Sequence, residues 1–403
     1  MKSFVIYNIF DNGGVPSEVR NWVNSYKKTQ NITVITHKPG SDALRIIMEG
    51  SSLNILVYKN PISFIFILIR NISKVDKVIL FGYFSLNTVI SATFCFFLGI
   101  SFIIVPFAQI TEEVFSNKIF VSNPDISDNN YSKFKTFILI DSLKQILSPV
   151  LKKIFHFLFK KIIIGKSDFV GVFSNFEKSQ IEKLTGFTNI KFVNYKWGIE
   201  NLAVLSTKTE FYKKIFLNKK NCLNFIYWGR LDYHFKGIDL MINAVYNLLK
   251  SGKTLPFAIY LMGPDYNNNL AKIKSEIHEK GLQDYIIICT KEQYQSSDKV
   301  PLKEADLSIY LSRWDGFPRT LRESVNFGVP VLVTKETHFA DVVQNNELGI
   351  VIDLTDINTI SEALMNFCNA KFLEKCRIKA VNYREKLLWD NVVNEFISET
   401  LII

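Results

Sequence analysis

One segment of the chain, residues 306–333, alternates in a way that is typical of a single class of fold. Residues 306–311 have the pattern of a buried strand, a loop with Gly316 and a helix follow, and residues 329–333 form a second apolar strand. A strand, a helix and a second strand in this order indicate a parallel α/β sheet. The loop then lies at the carboxyl end of a strand, where open α/β sheets bind their ligands.

Two carboxylates, Asp315 and Glu323, stand on either side of the start of this helix. Backbone N–H groups at a helix start lack partners within the helix and suit a phosphate. A carboxylate does not hold phosphate, but it accepts hydrogen bonds from the hydroxyl groups of a sugar or a ribose. The combination indicates a sugar nucleotide as the ligand.

The alternation of strands and helices extends along the whole chain in two series. The first series has strands at 4–7, 32–36, 54–58, 77–81, 101–105, 169–173 and 191–194. The second series has strands at 223–228, 257–262, 285–289, 306–311, 329–333 and 349–352. The predicted fold class is therefore α/β, with two doubly wound Rossmann-like domains that face each other across a ligand cleft.

The length of the chain, 403 residues, also favours two domains over a single core. We expect the first domain at residues 1–200 and the second at 221–383. The polar stretch 201–220 between them is the expected linker.

Residues 89–107 are apolar over about the length that spans a bilayer. Gly99 interrupts this stretch, and three serine or threonine residues dilute it. We therefore expect a buried helix at 87–98 and a buried strand at 100–105, with a membrane span as the alternative.

The cysteines and the start of the chain predict the compartment in which the protein works. The five cysteines include no Cys-x-x-Cys pair, which is typical of a reduced protein with thiols in its core. The first residues run directly into a short strand and not into a signal peptide. Both observations predict a cytoplasmic protein.

The loop after the strand at 223–228 holds a second candidate group. Gly229 permits close approach of the backbone to a ligand, and Arg230 and Lys236 supply two cations suited to a diphosphate. Either cation alone would more often be a solvated surface residue. Their place in the same domain as Asp315 favours a binding site.

Further motifs restrict the chemistry. Gly13 and Gly14, in the first strand–helix loop, would let the backbone approach an anion or a sugar, although such glycines are a weak signal alone. The chain has no Gly-x-Gly-x-x-Gly fingerprint and no P-loop motif, which argues against a dinucleotide cofactor and a P-loop hydrolase. It also has no His, Asp or Glu cluster with metal-ligand spacing, so we expect neither a metal nor a cofactor.

Residues 148–166 place apolar residues at helical spacing with lysines beside them, in a chain whose formal net charge is +10. A basic amphipathic helix suggests an anionic membrane surface. A helix that covers the first sheet, with its lysines extended into solvent, explains the same pattern. No motif that reads bases accompanies the charge, so we do not expect nucleic acid as a partner.

Together these motifs resemble the retaining glycosyltransferases of family four, the glycogen-synthase-like clan with two Rossmann-like domains of the GT-B type. The spacing of Asp315 and Glu323 is similar to the family's Glu-x7-Glu signature. Residues 229–237 match its Gly-Arg…Lys-Gly motif, and residues 13–14 match its N-terminal Gly-Gly loop. The resemblance is specific in the second domain and looser in the first.

The resemblance implies a role for each matching residue. Arg230 and Lys236 would bind the donor diphosphate, and Glu323 would accept hydrogen bonds from the ribose. Asp315 would accept hydrogen bonds from the donor sugar, and with Arg230 and Lys236 it makes up the catalytic group. The further donor-binding residues are Gly14, Gly229, Thr290, Lys291, Gly316, Phe317, Thr320 and Leu321.

The resemblance also reaches the end of the chain. Trp389 is similar to the tryptophan of the family's last helix. It implies that residues 384–403 contain a helix that packs back onto the first domain.

Two departures from the family concern the sugar and the acceptor. Asp315 is one methylene shorter than the usual glutamate, so its contact with the sugar would be shifted. Residues 104–109 stand where many members have a Pro-His-Gly-like sequence, and Phe107 takes the place of a histidine that contacts the sugar. The acceptor side would then involve Gly13, Phe107 and Gln109.

The activity that the family implies is transfer of a sugar from a nucleotide-diphosphate sugar to a hydroxyl group, with retention at the anomeric carbon and without a metal. A glycan or a lipid-linked oligosaccharide of bacterial surface polysaccharide synthesis, such as lipopolysaccharide or capsule, is the expected acceptor. The protein would then work in the cytoplasm, peripherally at the inner face of the plasma membrane. Two alternatives stay open: a sugar-nucleotide 2-epimerase of the same architecture, and a non-catalytic, membrane-associated binding protein on a transferase fold.

Overall fold

The structure is a computed structural model that describes residues 2–6, 14–37, 53–82, 86–105, 159–202, 222–289, 300–354 and 357–401. Its contacts divide the chain into two units. Unit 1 consists of Met1–Tyr195 together with Val393–Ile403, and unit 2 of Lys196–Val392. The predicted linker at 201–220 lies outside the described residues from residue 203 onward.

Unit 1 is built on a seven-stranded sheet in which every strand is parallel to its neighbours. Its strands are β1 Lys2–Ile6, β2 Asn31–His37, β3 Leu53–Tyr58, β4 Lys77–Phe81, β5 Ser101–Val105, β6 Phe169–Val172 and β7 Phe192–Asn194. They lie in the order β3-β2-β1-β4-β5-β6-β7. The described helices of unit 1 are α1 Gly14–Tyr26, α2 Pro61–Ile72, α3 Leu86–Leu98, a π-helix Phe159–Ile164 and α4 Asn175–Thr185.

The apolar stretch at 89–107 contains a helix and a strand, as predicted. Helix α3 ends at Leu98, Gly99 has a positive φ of 64°, and β5 begins at Ser101. Strand β5 pairs with β4 and β6 inside the sheet, so its apolar residues are buried there. Among the described residues, none of the helices has both the length and the apolar character that a membrane span requires.

The predicted basic helix at 148–166 lies mostly outside the described residues. The structure describes it from residue 159 onward, where Phe159–Ile164 form a π-helix that contacts α3. Ile163 and Ile164 are buried, whereas Lys161 and Lys166 are exposed.

Unit 2 repeats the same design with six parallel strands. Its strands are β8 Leu223–Trp228, β9 Phe257–Met262, β10 Ile286–Ile288, β11 Leu307–Tyr310, β12 Val331–Thr334 and β13 Gly349–Ile352, in the order β10-β9-β8-β11-β12-β13. Its described helices are α5 Ile238–Lys250, α6 Asn269–Glu279, α7 Val300–Lys303, α8 Arg319–Asn326, α9 Ala340–Asn345, α10 Ile357–Asn366, α11 Ala370–Tyr383 and a 3-10 turn Arg384–Leu387. The last helix, α12 Trp389–Leu401, begins in unit 2 and ends among the residues of unit 1.

The order of the strands in unit 2 creates a switch point between β8 and β11. From β8 the chain builds β9 and β10 on one side, and it then returns to build β11, β12 and β13 on the other. Crossovers in opposite directions place their helices on opposite faces of the sheet, so the chain leaves β8 and β11 toward opposite faces from one edge. This is the position at which open α/β sheets bind ligands.

The end of the chain is part of the core of unit 1. Phe396 of α12 packs edge-on against Trp22 and Tyr195, with ring centroids 5.5 Å and 5.6 Å away. The Lys77 ammonium, buried by the sheet, donates to the carbonyl of Thr400 at 2.6 Å. An aromatic cluster and a buried lysine therefore both depend on α12.

We expect Phe396→Ala to lower the free energy of unfolding of unit 1 by about 3–5 kcal/mol, because it leaves a cavity between Trp22 and Tyr195. Chemical denaturation followed by tryptophan fluorescence measures this change. Asn394→Ala, at an exposed position of the same helix, is the control and should stay within about 0.5 kcal/mol of wild type. Equal stability of the two variants would contradict the packing role of α12.

Candidate functional site

The loops after β8 and β11 meet through an ion pair between two of the predicted site residues. The Lys236 ammonium hydrogen-bonds Oδ2 of Asp315, and both side chains are largely buried. Sequence analysis placed these residues in loops of the same domain, and the structure joins them directly. A cation and a carboxylate that would contact neighbouring parts of one ligand are therefore already in contact with each other.

The loop after β8 is shaped by Gly237, which precedes α5 with a φ of 65°. A Cβ atom at this position would lie 2.0 Å from the carbonyl oxygen of Leu311, just after β11. Asp232 stabilises the loop from inside, because its Oδ1 accepts from the N–H of Phe235 at 3.0 Å. The backbone of this loop thus packs directly on the end of β11. This contact places Lys236 next to Asp315.

Arg313 and Asp239 hold the same two loops together from the side. The Arg313 guanidinium forms two hydrogen bonds with the Asp239 carboxylate, at 2.8 Å and 2.7 Å. Arg313 also donates to the carbonyl of His234, and its N–H donates to the carbonyl of Phe235 at 3.0 Å. Sequence analysis did not assign this pair, whose members are 74 residues apart.

The segment after β12 fixes the backbone of the loop that carries Asp315 and Gly316. The N–H of His338 donates to the carbonyls of both residues at 3.1 Å, and the N–H of Asp315 donates to the carbonyl of Glu336 at 3.4 Å. Phe317 is buried and packs edge-on against Phe339, with ring centroids 4.9 Å apart. The direction in which Asp315 extends is therefore set by the backbone as well as by Lys236.

Arg230 is the more exposed of the two predicted phosphate ligands, at 47% of its side chain. Its guanidinium lies 4.3 Å from the ring centroid of Tyr266 and 3.7 Å from Oδ2 of Asp232. Stacking on an aromatic ring holds a guanidinium in place while its N–H groups stay accessible. Arg230 is thus a cation held at the edge of the sheet and open to a ligand.

Glycines bring the loops after β8 and β9 close to each other. A Cβ atom at Gly263 would lie 1.7 Å from the carbonyl oxygen of Gly229, and the N–H of Gly229 donates to the carbonyl of Met262 at 2.9 Å. Gly263 was not singled out in the sequence, although the Gly-Pro pair that it begins is a turn signal directly after a strand. The two loops are therefore in direct backbone contact beside Arg230.

Helix α8 begins at Arg319 after Pro318, without a hydrogen bond from a capping side chain. Its first turn contains Thr320, which is half-buried, and Leu321, which is fully buried. Leu321 therefore presents to a ligand only its backbone. An uncapped start of an eight-residue helix leaves N–H groups and a partial positive charge, which suit an anion.

Glu323 is buried to 1% exposure and has a partner within its own helix. Oε1 of Glu323 accepts from Nε of Arg319 at 2.9 Å. The same guanidinium donates through Nη2 to Glu200 at 2.8 Å. The carboxylate predicted to bind a ribose is therefore part of a chain of three charged groups, which the sequence analysis did not propose.

Two buried tyrosines lie beneath the site. Burial raises the pKa of the Tyr227 phenol well above its usual value, and the nearby Tyr310, Asp315 and Asp232 add to the shift. Burial likewise raises the pKa of the Tyr310 phenol. The Tyr227 hydroxyl donates to the carbonyl of Arg230 at 2.6 Å. Both phenols are neutral and support the backbone here, because the Tyr310 hydroxyl likewise donates to the carbonyl of Trp228 at 3.3 Å.

The remaining predicted site residues are placed less completely. Gly14 is the first residue of α1 in unit 1. The other predicted residues lie outside the described part of the chain: Gly13, Phe107, Gln109, Thr290 and Lys291. Within the described ranges, no group of three or more His, Cys, Asp or Glu residues is arranged to hold a metal ion.

The family recognised from the motifs is confirmed by comparison with known proteins. Residues 208–385 match the family described as glycosyl transferases group 1. The matched segment contains all the described site residues of unit 2 from Gly229 to Glu323.

Curated relatives match shorter parts of the chain. An 85-residue stretch is 32% identical to the UDP-Gal:alpha-D-GlcNAc-diphosphoundecaprenol alpha-1,3-galactosyltransferase of Escherichia coli, over 20% of this chain and 22% of the relative. A 144-residue stretch is 24% identical to the GDP-mannose:cellobiosyl-diphosphopolyprenol alpha-mannosyltransferase of Xanthomonas campestris, over 35% of this chain and 37% of the relative. The chain thus spans less than half the length of the curated relatives it matches.

Solved structures match the chain over its whole length. Anabaena HepE, in complex with UDP, has a TM-score of 0.68 at 14% identity and covers 100% of this chain and 99% of its own. A glycosyltransferase from Rickettsia africae has a TM-score of 0.66 at 15% identity, over 99% of this chain and 97% of its own. These likenesses concern the fold, and they confirm the predicted GT-B class with two doubly wound α/β units.

Gly237→Ala tests how tightly the two loops are packed. The added methyl group would overlap the carbonyl of Leu311 and sit on a backbone with positive φ, so we expect a loss of about 3 kcal/mol or more in unfolding free energy. Gly252→Ala is the matched control, because Gly252 has a φ of 74° but nothing within 4 Å of its Cβ position. The control should lose only about 1 kcal/mol, the cost of the left-handed backbone alone. If thermal unfolding showed equal losses of unfolding free energy for the two variants, the overlap with Leu311 would contribute nothing to the destabilisation.

Proposed function

We propose that the protein is a retaining, metal-independent glycosyltransferase that moves a sugar from a nucleotide-diphosphate sugar to a hydroxyl group of a glycan or a lipid-linked acceptor. One observation carries the proposal: Lys236 and Asp315 form an ion pair at the switch point between β8 and β11. A sugar and a diphosphate are adjacent parts of such a donor. A paired carboxylate and ammonium at one rim match these two parts.

The diphosphate of the donor binds to two cations and to the start of α8. Lys236 has three N–H donors and can keep its contact with Asp315 while it donates to a phosphate oxygen. Arg230, stacked on Tyr266, offers a planar guanidinium to the other phosphate. The backbone N–H groups of Thr320 and Leu321 complete the site, because a helix start favours negative charge.

The reaction exchanges one bond at the anomeric carbon for another. The bond between that carbon and the oxygen of the β-phosphate breaks, and the nucleoside diphosphate leaves with the bonding electron pair. The acceptor hydroxyl oxygen forms the new bond on the same face of the sugar, and its proton passes to an oxygen of the departing phosphate. Lys236, Arg230 and the start of α8 stabilise the charge that grows on the leaving group, so the step requires no metal ion.

Asp315 orients the sugar and does not attack it. Its carboxylate is held by Lys236, and its backbone is held by Glu336 and His338. A carboxylate fixed in this way accepts hydrogen bonds from sugar hydroxyls in a defined direction. The N–H groups of Gly316 and Phe317 lie next to it in the chain and add donors for the same sugar.

Glu323 binds the ribose of the nucleotide through its hydroxyl groups. The side chain is buried and held by Arg319, so only small rotations of the carboxylate are available to it. A fixed acceptor of this kind selects a ligand that brings a hydroxyl donor to it.

The acceptor and its pathway are inferred from the relatives. Two curated relatives carry names that place their acceptors on diphosphoundecaprenol or diphosphopolyprenol, and a third is named a lipopolysaccharide core mannosyltransferase of Rhizobium meliloti. By analogy, this protein acts on a lipid-linked glycan of bacterial surface polysaccharide synthesis, peripherally at the inner face of the plasma membrane. The three curated relatives are named as transferases, which supports neither the 2-epimerase nor the non-catalytic alternative.

Lys236→Ala tests the donor site. We expect kcat/KM for the nucleotide-sugar donor to fall by about 10²–10³-fold, because the leaving group loses its buried cation while Asp315 becomes an unpaired carboxylate. Lys375→Ala is the control, since it removes a lysine from an exposed pair with Glu347. The control should keep the wild-type rate, and a Lys236→Ala variant with that rate would remove the assignment of Lys236.

Retention and metal independence have a separate test. With a donor of known anomeric configuration, proton NMR of the product should show the same configuration at the transferred sugar. The initial rate should be unchanged after exhaustive treatment with EDTA, because the diphosphate is neutralised by side chains. An inverted product would exclude the same-face step, and a rate restored only by added Mg²⁺ or Mn²⁺ would exclude metal independence.

A further inference from the structure

Helix α2 is apolar on all sides although one of its faces is exposed. Its inner face, Phe64, Leu68 and Ile72, is fully buried against the sheet of unit 1. Its outer face carries Ile62 and Phe66, exposed by 80% and 67%. A surface helix of a water-facing protein normally carries polar residues on its outer face.

The outer face of α2 continues along its last turn to Ile69, which is 54% exposed. Ile62, Phe66 and Ile69 follow one another at intervals of four and three residues, so they lie on one side of the helix. The helix is held firmly in this orientation. Asn60 caps it through a capping box with Ser63, and Pro61 stands at its first position.

The end of α3 adds further exposed apolar residues, of which Phe97 and Leu98 are the most exposed. Phe97 and Leu98 are 76% and 54% exposed, whereas the small residues Ala92 and Cys95 of the same helix are buried. The larger side chains of this helix end thus extend outward and the smaller ones inward. This is the reverse of the arrangement expected for a helix that faces only water.

Helices α2 and α3 lie side by side on the same face of the sheet. The chain moves from β3 to β4 and from β4 to β5 in the same direction along the strand order, and right-handed crossovers in one direction put their helices on one face. The two helices contact each other and share one core cluster. Their exposed residues therefore form one surface, the α2–α3 patch, which consists of Ile62, Phe66, Ile69, Phe97 and Leu98.

Cations border this patch. Arg70 follows Ile69 at the end of α2, Lys74 stands between α2 and β4, and Lys166 precedes β6, all at exposed positions. Both helices run antiparallel to the strands, so their carboxyl ends lie at the edge of the sheet where the strands begin. The three cations lie at the same edge. The Lys166 ammonium lies 5.3 Å from the ring centroid of Phe96, which places it beside the end of α3.

The carboxylates at this edge accept hydrogen bonds from the backbone of the sheet. Asp76 accepts from the N–H of Lys2 at 2.7 Å, and Asp168 accepts from the N–H of Phe102 at 2.8 Å. The negative charges are thus fixed by the strands, while the lysines and the arginine extend into solvent. The border of the α2–α3 patch attracts anions.

We propose that the α2–α3 patch binds an anionic lipid bilayer, with its aromatic and aliphatic side chains inserted at the headgroup boundary and the bordering cations among the headgroups. Large exposed apolar surfaces mark interaction sites, and cations at the border select a negatively charged partner. Insertion of aromatic and aliphatic residues from a helix that lies along the surface is the interfacial mode of binding. The patch and its border include Lys166 but no residue of 148–158 from the predicted basic helix, and the proposal does not depend on the proposed glycosyl transfer.

Vesicle sedimentation with the full chain tests the proposal. Wild type should bind vesicles made of equal amounts of phosphatidylcholine and phosphatidylglycerol. It should bind vesicles of phosphatidylcholine alone more weakly. A Phe66→Gln/Phe97→Gln variant keeps helix propensity but removes two large apolar groups, and its partition coefficient should fall about tenfold or more. Ile378→Gln is the control and should bind as wild type does, because Ile378 is a 53% exposed isoleucine of α11 in unit 2.

A second variant, Arg70→Gln/Lys74→Gln/Lys166→Gln, separates the electrostatic contribution. It should lose the preference for phosphatidylglycerol and the sensitivity of binding to salt, while it keeps weak binding to neutral vesicles. Circular dichroism and nucleotide-sugar binding, measured without lipid, should be the same for all variants. Unchanged values would show that they are folded.

Three results would overturn the proposal: no binding of wild type to either vesicle, equal binding of wild type and Phe66→Gln/Phe97→Gln, or a dimer that this variant abolishes. Analytical ultracentrifugation distinguishes the last case, in which a second copy of the chain covers the patch. Lipid binding and glycosyl transfer to a soluble acceptor are measured separately, so failure of one leaves the other intact.

Discussion

The hydrogen-bonded ion pair of Lys236 with Asp315 connects the loops after β8 and β11. These strands are neighbours in the sheet, but the chain crosses over from them in opposite directions. Two strands separate β8 from β11 along the chain, and the two loops come together because β8 and β11 are neighbours at the switch point of the sheet. A largely buried ion pair costs desolvation and is retained only where its geometry is good. Here Gly237, Arg313 and the segment after β12 supply that geometry.

Helix α8 carries residues of the candidate site and also contacts a distant segment of unit 2. Its first turn contains Thr320 and Leu321 of the candidate site. Other residues of the helix hydrogen-bond the backbone of residues 198–202. Arg322, almost fully buried, donates to the carbonyl of Gly198, and Asn326 accepts from the N–H of Leu202 at 3.1 Å. One short helix therefore serves both the binding site and the packing of residues 198–202, and substitutions on its buried side would affect both.

The architecture could be predicted from the sequence because buried parallel strands are apolar runs bounded by turns. Strands β8, β9 and β13 have the predicted bounds to the residue, and Gly99 correctly separated α3 from β5. Of the site, the place of Lys236 and Asp315 in one domain, each in a loop after a strand, could be predicted. These features depend on local pattern and topology alone.

What could not be predicted depends on contacts between distant side chains. The pair of Arg313 and Asp239 joins residues 74 positions apart, and no local pattern signals it. The ion pair of Arg319 with Glu323 could have been predicted from the sequence, because the two residues are four positions apart on a helix. The predicted acceptor residues and most of the basic helix lie outside the described residues, and they stay predictions.

Arg319 gives Glu323 a property that a ribose-binding carboxylate on an open surface would lack. Its negative charge is balanced inside the helix before any ligand arrives. In the proposed function, a nucleotide would therefore meet a carboxylate that has no isolated charge to neutralise. The benefit of binding would then come from the hydrogen bonds of the ribose hydroxyls, of which a deoxyribose has one fewer. Such a site would separate ribonucleotides from deoxyribonucleotides by hydrogen bonding, with little contribution from electrostatic attraction.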